Sequence, residues 1–172
     1  MDAASYSATE ALRDGRPVEI RALQPDDRAD LLAAVGRLGN ESLYRRFFGF
    51  KRHFTEREIA SSVNVDFVTH VALIAVVKDN ERETIVGGGR YVVAEAGKAE
   101  VAFAIVDQYQ GQGIGAALLR HLVVIARAAG LQELVAEVLA DNRAMIKVFE
   151  KSGLPVTTRR QSEVVHVVLR LT

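Results

Sequence analysis

Apolar side chains alternate along residues 17–23, at Val18, Ile20 and Ala22, which is the period of a strand with one buried face. Pro25, Asp26 and Asp27 then read as the head of a helix, with proline early and acids in the first turn. That helix carries Leu31, Leu32, Val35 and Leu38 and stops at Gly39 and Asn40. Thr55 and Glu58 have capping-box spacing and open a further short helix. Residues 70–77 form a continuous apolar strand. Residues 85–93 form the next, and the glycines inside it, Gly87, Gly88 and Gly89, predict a bulge or a close backbone approach. In a third strand, 99–106, Val101, Phe103 and Ile105 point one way and Glu100, Ala102 and Ala104 the other. Charged turns at 78–82 and 95–98 are short enough to make these three an antiparallel meander.

A helix follows with Ile114, Leu118, Leu122 and Ile125 on one stripe, and Gly130 ends it. Residues 133–139 form a strand that a right-handed crossover sets parallel to 99–106. Asp141 or Asn142 caps a last helix closed by Gly153, and strands at 155–160 and 164–171 finish the chain. Residues 1–16 are polar and small and are expected to be a flexible lead-in. Residues 17–172 are expected to form one domain. The fold class is α/β (α+β), a mixed, mostly antiparallel central sheet with one parallel pair and flanking helices.

Composition narrows the function. The 172 residues are 49% hydrophobic, enough for one domain with a real core. Basic and acidic residues balance at 22 each, which argues against a general nucleic-acid binder. No cysteine is present, so disulfides and thiolate metal sites are excluded. His53, His70, His121 and His166 are scattered without metal-ligand spacing, so no metal is expected. The first residues lack the apolar core of a signal peptide, and no run is long enough to span a membrane. These features predict a cytoplasmic protein with no membrane partner.

The chemistry concentrates where the 99–106 strand meets its helix. Gly111, Gly113 and Gly115 arrive at alternate positions there. The first amides of a helix have no internal partners, its dipole favours negative charge, and glycine lets a ligand approach the backbone. The stretch therefore reads as a phosphate cradle. Gly111, Gly113 and Ala116 also fit a dinucleotide pattern, but that motif belongs on the first strand of a repeated βαβ unit. A P-loop needs Lys-Ser or Lys-Thr after its last glycine, and neither follows here. Residues 42–50 set two arginines among aromatics, which suits a short amphipathic helix or a wall of an acceptor site.

Gln110, Gly111, Gln112, Gly113, Ile114 and Gly115 resemble the Q/R-x-x-G-x-G/A motif of GNAT acetyltransferases, and the element order resembles that fold from about residue 17 to 171. The resemblance implies that loop amides through Ala116 hold the pyrophosphate of acetyl-CoA. It implies that the Ile105 and Val106 backbone bonds the pantetheine arm where two parallel strands splay. It also implies that Asn142 touches that arm. Residues 42–48, 65–66, 99–103 and 138–145 further resemble bacterial protein lysine acetyltransferases that modify acyl-CoA synthetases. A synthetase lysine is the acceptor so implied, with the protein a monomer or homodimer.

A lysine amine has a pKa near 10.4, so attack on a thioester at neutral pH needs a base. Glu100 is the candidate, on the face whose small residues Ala102 and Ala104 leave room for a ligand, ideally as a buried carboxylate. A backbone N–H near Ile105 or Val106 is placed to stabilise an oxyanion. Many GNAT enzymes protonate the leaving thiolate with a tyrosine, but that position here is Phe149. Two other readings use the same residues: a small-molecule amine acetyltransferase, and an acyl-CoA-sensing module without catalysis.

Overall fold

The computed structural model describes residues 1–47 and 55–172. Eight strands form one sheet: β1 (Ser7–Ala11), β2 (Pro17–Ala22), β3 (His70–Asp79), β4 (Arg82–Glu95), β5 (Lys98–Ile105), β6 (Glu133–Leu139), β7 (Val156–Gln161) and β8 (Val164–Arg170). Their spatial order is β1-β2-β3-β4-β5-β6-β8-β7. Neighbours pair antiparallel except β5 and β6, which run parallel. The helices are α1 (Arg28–Gly36), α2 (Asn40–Phe47), α3 (Glu56–Val63), α4 (Ile114–Ala128) and α5 (Arg143–Glu150). None of them is long and apolar enough to cross a membrane.

Two apolar clusters sandwich the sheet. On one face the stripe of α4 is buried: Ile114, Leu118, Leu122 and Ile125 pack with Val71, Leu73, Val101 and Leu134. Leu118 and Leu122 are fully buried, and each such side chain contributes about 1.5–3 kcal/mol. On the other face, Ala34 of α1 and Val63 of α3 close over Ala72, Ile74, Val76 and Ile85. Gly87 and Gly89 answer for close packing. A Cβ on Gly87 would stand 2.9 Å from Ile105 Cδ1, and one on Gly89 would stand 2.7 Å from Phe103 Cδ1. The strand also carries the expected irregularity, since the β3–β4 register slips between Ala75 and Val76, opposite Val86.

Two expectations change. Within residues 1–16, Ser7–Ala11 pairs along β2 as an edge strand instead of trailing loosely. Tyr6 and Glu10 tie it to α4 through His121, whose ring nitrogens bond the Tyr6 hydroxyl at 2.5 Å and the Glu10 carboxylate at 2.7 Å. The helix expected over 25–38 is a 3-10 turn at Pro25–Asp27 followed by α1, because Asp27 turns back to its own strand. Its carboxylate accepts two hydrogen bonds from Arg21, at 2.9 and 2.8 Å, and one from the Gln24 amide. Of the arginine–aromatic stretch, residues 48–50 lie outside the described residues, as does His53. The rest, 42–47, lies in helix α2.

Candidate active site at the splayed strands

The parallel pairing of β5 and β6 covers only Lys98, Ala99 and Glu100 against Glu133, Leu134 and Val135. Beyond that, β5 stays on β4 and β6 stays on β8, so the two strands part. Backbone groups of a strand alternate between its two edges. The Val106 amide donates to the Val86 carbonyl at 2.9 Å, toward β4, and the Val106 carbonyl accepts from the Tyr109 amide at 2.8 Å. Ile105 therefore presents its amide and carbonyl to the parted side, where its carbonyl accepts from Gln110 Nε2 at 3.1 Å. This divides the expectation for the pair. Ile105 keeps a backbone edge for a ligand, whereas both backbone groups of Val106 are used by the fold, and its buried side chain lines a pocket instead.

The glycine turn sits at the end of this gap. Gly113 is the N-cap of α4 at φ +90°, and Gly111 stands at φ +78°. L-residues avoid this left-handed region, which explains glycine at both positions. A Cβ on either would meet nothing within 4 Å, so the space before the turn is open. Gly113, Ile114, Gly115 and Ala116 carry the orphan amides of the α4 N-terminus, since the first intrahelical bond runs from the Ala117 amide to the Gly113 carbonyl. Gly115 serves helix packing, since a Cβ there would touch Val148 and Met145 of α5 at ordinary contact distance. The Gln112 carbonyl accepts from the Arg13 amide at 3.2 Å, so the β1–β2 hairpin props the loop. The Gln112 side-chain oxygen is buried without a partner among the described residues. Orphan amides and open space fit a phosphate-bearing ligand.

Helix α2 lies across the parted strand ends. Asp107, just after β5, accepts from the Gly39 amide at 3.1 Å and the Ser42 hydroxyl at 2.7 Å, and Gln110 Nε2 donates to the same hydroxyl at 3.0 Å. At its other end Arg45 donates to the Asp141 carbonyl, just after β6, at 3.3 Å. Asn142 follows as the N-cap of α5, its side chain accepting from the Met145 amide at 3.3 Å. The cap uses the side-chain oxygen, and the side-chain NH2 of Asn142 makes no hydrogen bond among the described residues.

Glu100 projects from the face of β5 shared with Ala102 and Ala104. It is exposed, without the burial that would suit a base best, at the last β5 position that still pairs with β6, and Arg46 of α2 is near enough to feel its charge. Opposite this face, β4 presents Gly88, Arg90 and Val92, paired with Ala104, Ala102 and Glu100. Arg90 donates to the Ser62 carbonyl and to His70 Nε2, both at 3.2 Å. Burial, then the positive charge of Arg90, hold His70 below its ordinary value and so neutral, although Asp66 pulls the other way. Asp66 accepts from the Thr69 hydroxyl and from the Val68, Thr69 and His70 amides, which holds its carboxyl far below the usual range and fixes the entry to β3. Tyr91 points into the core, and burial raises its hydroxyl pKa. Phe149 is buried edge-on to Phe103, with ring centroids 6.1 Å apart, so the usual tyrosine position is core here.

Sequence reasoning singled out the glycine turn, Glu100 and Asn142. It missed the Asp107 anchor, the Arg45 bridge and the Arg46–Arg90 pair. The arginines of residues 42–50 were a signal, but pairing Arg46 with a strand residue 44 positions later needs the tertiary fold.

The chain belongs to the acetyltransferase (GNAT) family, whose model matches residues 41–154. It is 34% identical over 137 residues to an acetyltransferase of Pseudomonas aeruginosa, covering 79% of this chain and 74% of that protein. It is 33% identical over 144 residues to the acetyltransferase Pat of Mycolicibacterium smegmatis, covering 83% of this chain but only 42% of that longer protein. The crystal structure of the GNAT domain of S. lividans PAT superposes with a TM-score of 0.86 at 32% identity, covering 95% of this chain and 96% of that one. The mixed sheet with one parallel pair is the GNAT fold, and the chain is an acetyltransferase of that family.

Proposed function

We propose that this acetyltransferase moves the acetyl group of acetyl-CoA directly to the amine of a protein lysine, in a complex holding both, in the cytoplasm. One observation carries the reading: the gap between β5 and β6 joins the orphan amides of α4 at one end to Glu100 at the other. Gly111, Gln112, Gly113, Ile114, Gly115 and Ala116 would hold the pyrophosphate, with Gln110 buttressing the loop through Ile105 and Ser42. The Ile105 backbone edge and Asn142 would hold the arm. Acetyl-CoA supplies an acyl group activated as a thioester. Glu100 takes the proton from the incoming ammonium so that the nitrogen attacks as a free amine. The Ile105 amide, not that of Val106, is the strand donor available to the carbonyl oxygen. Phe149 offers no proton, and a thiol with a pKa of about 8.5 leaves as thiolate without one. Likeness to Pat favours a protein acceptor, and a lysine of an acyl-CoA synthetase is the one we propose.

Glu100→Gln keeps shape and removes the base. Turnover should fall by roughly 10²–10⁴ with acetyl-CoA affinity unchanged, and the loss should shrink as pH rises towards the lysine pKa. Near wild-type turnover at neutral pH would refute the assignment. Purified acyl-CoA synthetases incubated with labelled acetyl-CoA, then mapped by peptide mass spectrometry, test the acceptor. Acetyl transfer to none of their lysines would overturn that part.

A further inference from the structure

Beneath α1 and α3 the sheet face of Glu100 opens into a concave pocket. Its floor is Gly87, Gly88 and Gly89, and its walls are largely apolar, among them Leu31, Ile74 and Ile85. Three arginines also line it. Arg28 turns outward to Glu56 at 2.5 Å. Arg46 faces Glu100. Arg90 has no carboxylate within ion-pair distance among the described residues, and residues 48–54 contain no acid. The acid that lines the pocket, Glu58, accepts from the amide and hydroxyl of Thr55 in the α3 cap.

Arg90, which lines the pocket, spends one nitrogen on Ser62 and His70, both uncharged partners, and its other donors make no hydrogen bond among the described residues. Burial, and then the charge of Arg46, lower its pKa to about 10. A guanidinium placed this way is a fork awaiting two acceptor oxygens. Burying a charge without a counter-ion is unfavourable, and an arriving anion relieves that cost.

We propose that the pocket binds a small carboxylate with an apolar body, the carboxylate on Arg90 and Arg46 and the body on Ile74 and Ile85, and that apolar amino acids bound there are a second class of acetyl acceptor. This rests on the acetyl-transfer reading above for its chemistry and goes beyond it in substrate. Arg90 pairs with Ala102 across the strands, two residues along β5 from Glu100 and on the same face, so a carboxylate on Arg90 leaves the adjacent α-amine on the Glu100 side. The amine nitrogen bonds the acetyl carbon as the carbon–sulfur bond breaks. Glu100 takes the amine proton, and the thiolate takes one from water.

The test separates binding from transfer. Calorimetry and thermal shift on the whole chain would use 3-phenylpropionate and its amide, without acetyl-CoA. Release of free thiol would then be followed with acetyl-CoA plus phenylalanine, phenylalaninamide or a lysine peptide. The expected result is binding of the carboxylate at least tenfold tighter than the amide, and transfer to phenylalanine over phenylalaninamide. Arg90→Gln should lose that tenfold preference. Arg90→Lys keeps the charge without the fork and should retain part of it, which guards against a folding defect in the first variant. Equal binding of acid and amide overturns the proposal, and does so alone if the lysine peptide is still acetylated. Carboxylate binding with no thiol release from any amine supports the site and overturns the acetyl-transfer reading instead.

Discussion

Gly113 and Gly115 stand two residues apart in the same motif, yet alanine at each should act in opposite directions. At Gly113, φ is +90° and a Cβ meets nothing within 4 Å of the protein. An L-residue held there costs about 1–2 kcal/mol. Alanine also restricts the unfolded chain, which offsets about 0.4–1 kcal/mol of that. Gly113→Ala should therefore lose about 1 kcal/mol and lower Tm by about 2–4 °C for a chain of this size. At Gly115 the backbone is helical, and a Cβ would find Val148 Cγ2 at 3.8 Å and Met145 Cε at 3.9 Å. Gly115→Ala should gain about 1 kcal/mol of helix propensity and raise Tm by a similar amount. Ligand binding separates them more sharply. The open space beside Gly113 is where the pyrophosphate is proposed to sit, so its Cβ should cost acetyl-CoA at least tenfold in Kd, about 1.4 kcal/mol. Gly115→Ala points its methyl at α5 and should stay within about twofold, ~0.4 kcal/mol. Calorimetric titration of acetyl-CoA into both folded variants, with melting curves alongside, gives all four quantities. An undiminished affinity in Gly113→Ala would refute the cradle, because the strain cost alone does not touch a ligand that binds elsewhere.

Asn142→Ala removes the α5 cap and should cost about 1 kcal/mol in denaturant unfolding, near the lower end for caps because the bond is 3.3 Å. It should also weaken acetyl-CoA binding; a loss of stability alone would make Asn142 a cap and nothing more. Asp27→Asn should destabilise by about 1.5–3 kcal/mol at neutral pH, since the residue is 8% exposed and holds Arg21 at two points. Burial works to raise the Asp27 pKa, but the Arg21 bonds and the Gln24 amide outweigh it and hold it low. A depressed folded value means the stabilisation is full above the unfolded pKa of about 3.9 and is lost as pH falls through the folded one. The gap between urea melts of wild type and variant should therefore begin to narrow below about pH 4, and a gap that does not narrow at all as pH falls further would discount the ion pair.

Local periodicity determined most of the framework. The alternation in β2, the apolar run of β3, the stripe of α4 and the capping box of Thr55 each depend on neighbours a few residues away, and each forms where the pattern put it. The glycine turn was legible for the same reason, because φ at Gly111 and Gly113 and the orphan amides of α4 are local properties. Other features were not local. The pattern of residues 7–11 is too short and polar to announce a strand, and β1 exists because β2 offers it a paired edge and His121 of α4 holds it. Val106 passed for a backbone ligand like Ile105, since nothing in the chain says which strand edge is already occupied; the pairing with β4 decides that. Phe149 was readable as a departure from a pattern, but only packing against Phe103 made it core. The Asp107 anchor spans 65 residues to Ser42, and the Arg45 bridge spans 96 to Asp141. Sequence spacing carries no trace of such contacts. They arise where the strands β5 and β6 part and a helix from far upstream crosses their ends, and that same crossing sets Arg46 beside Arg90 and Glu100.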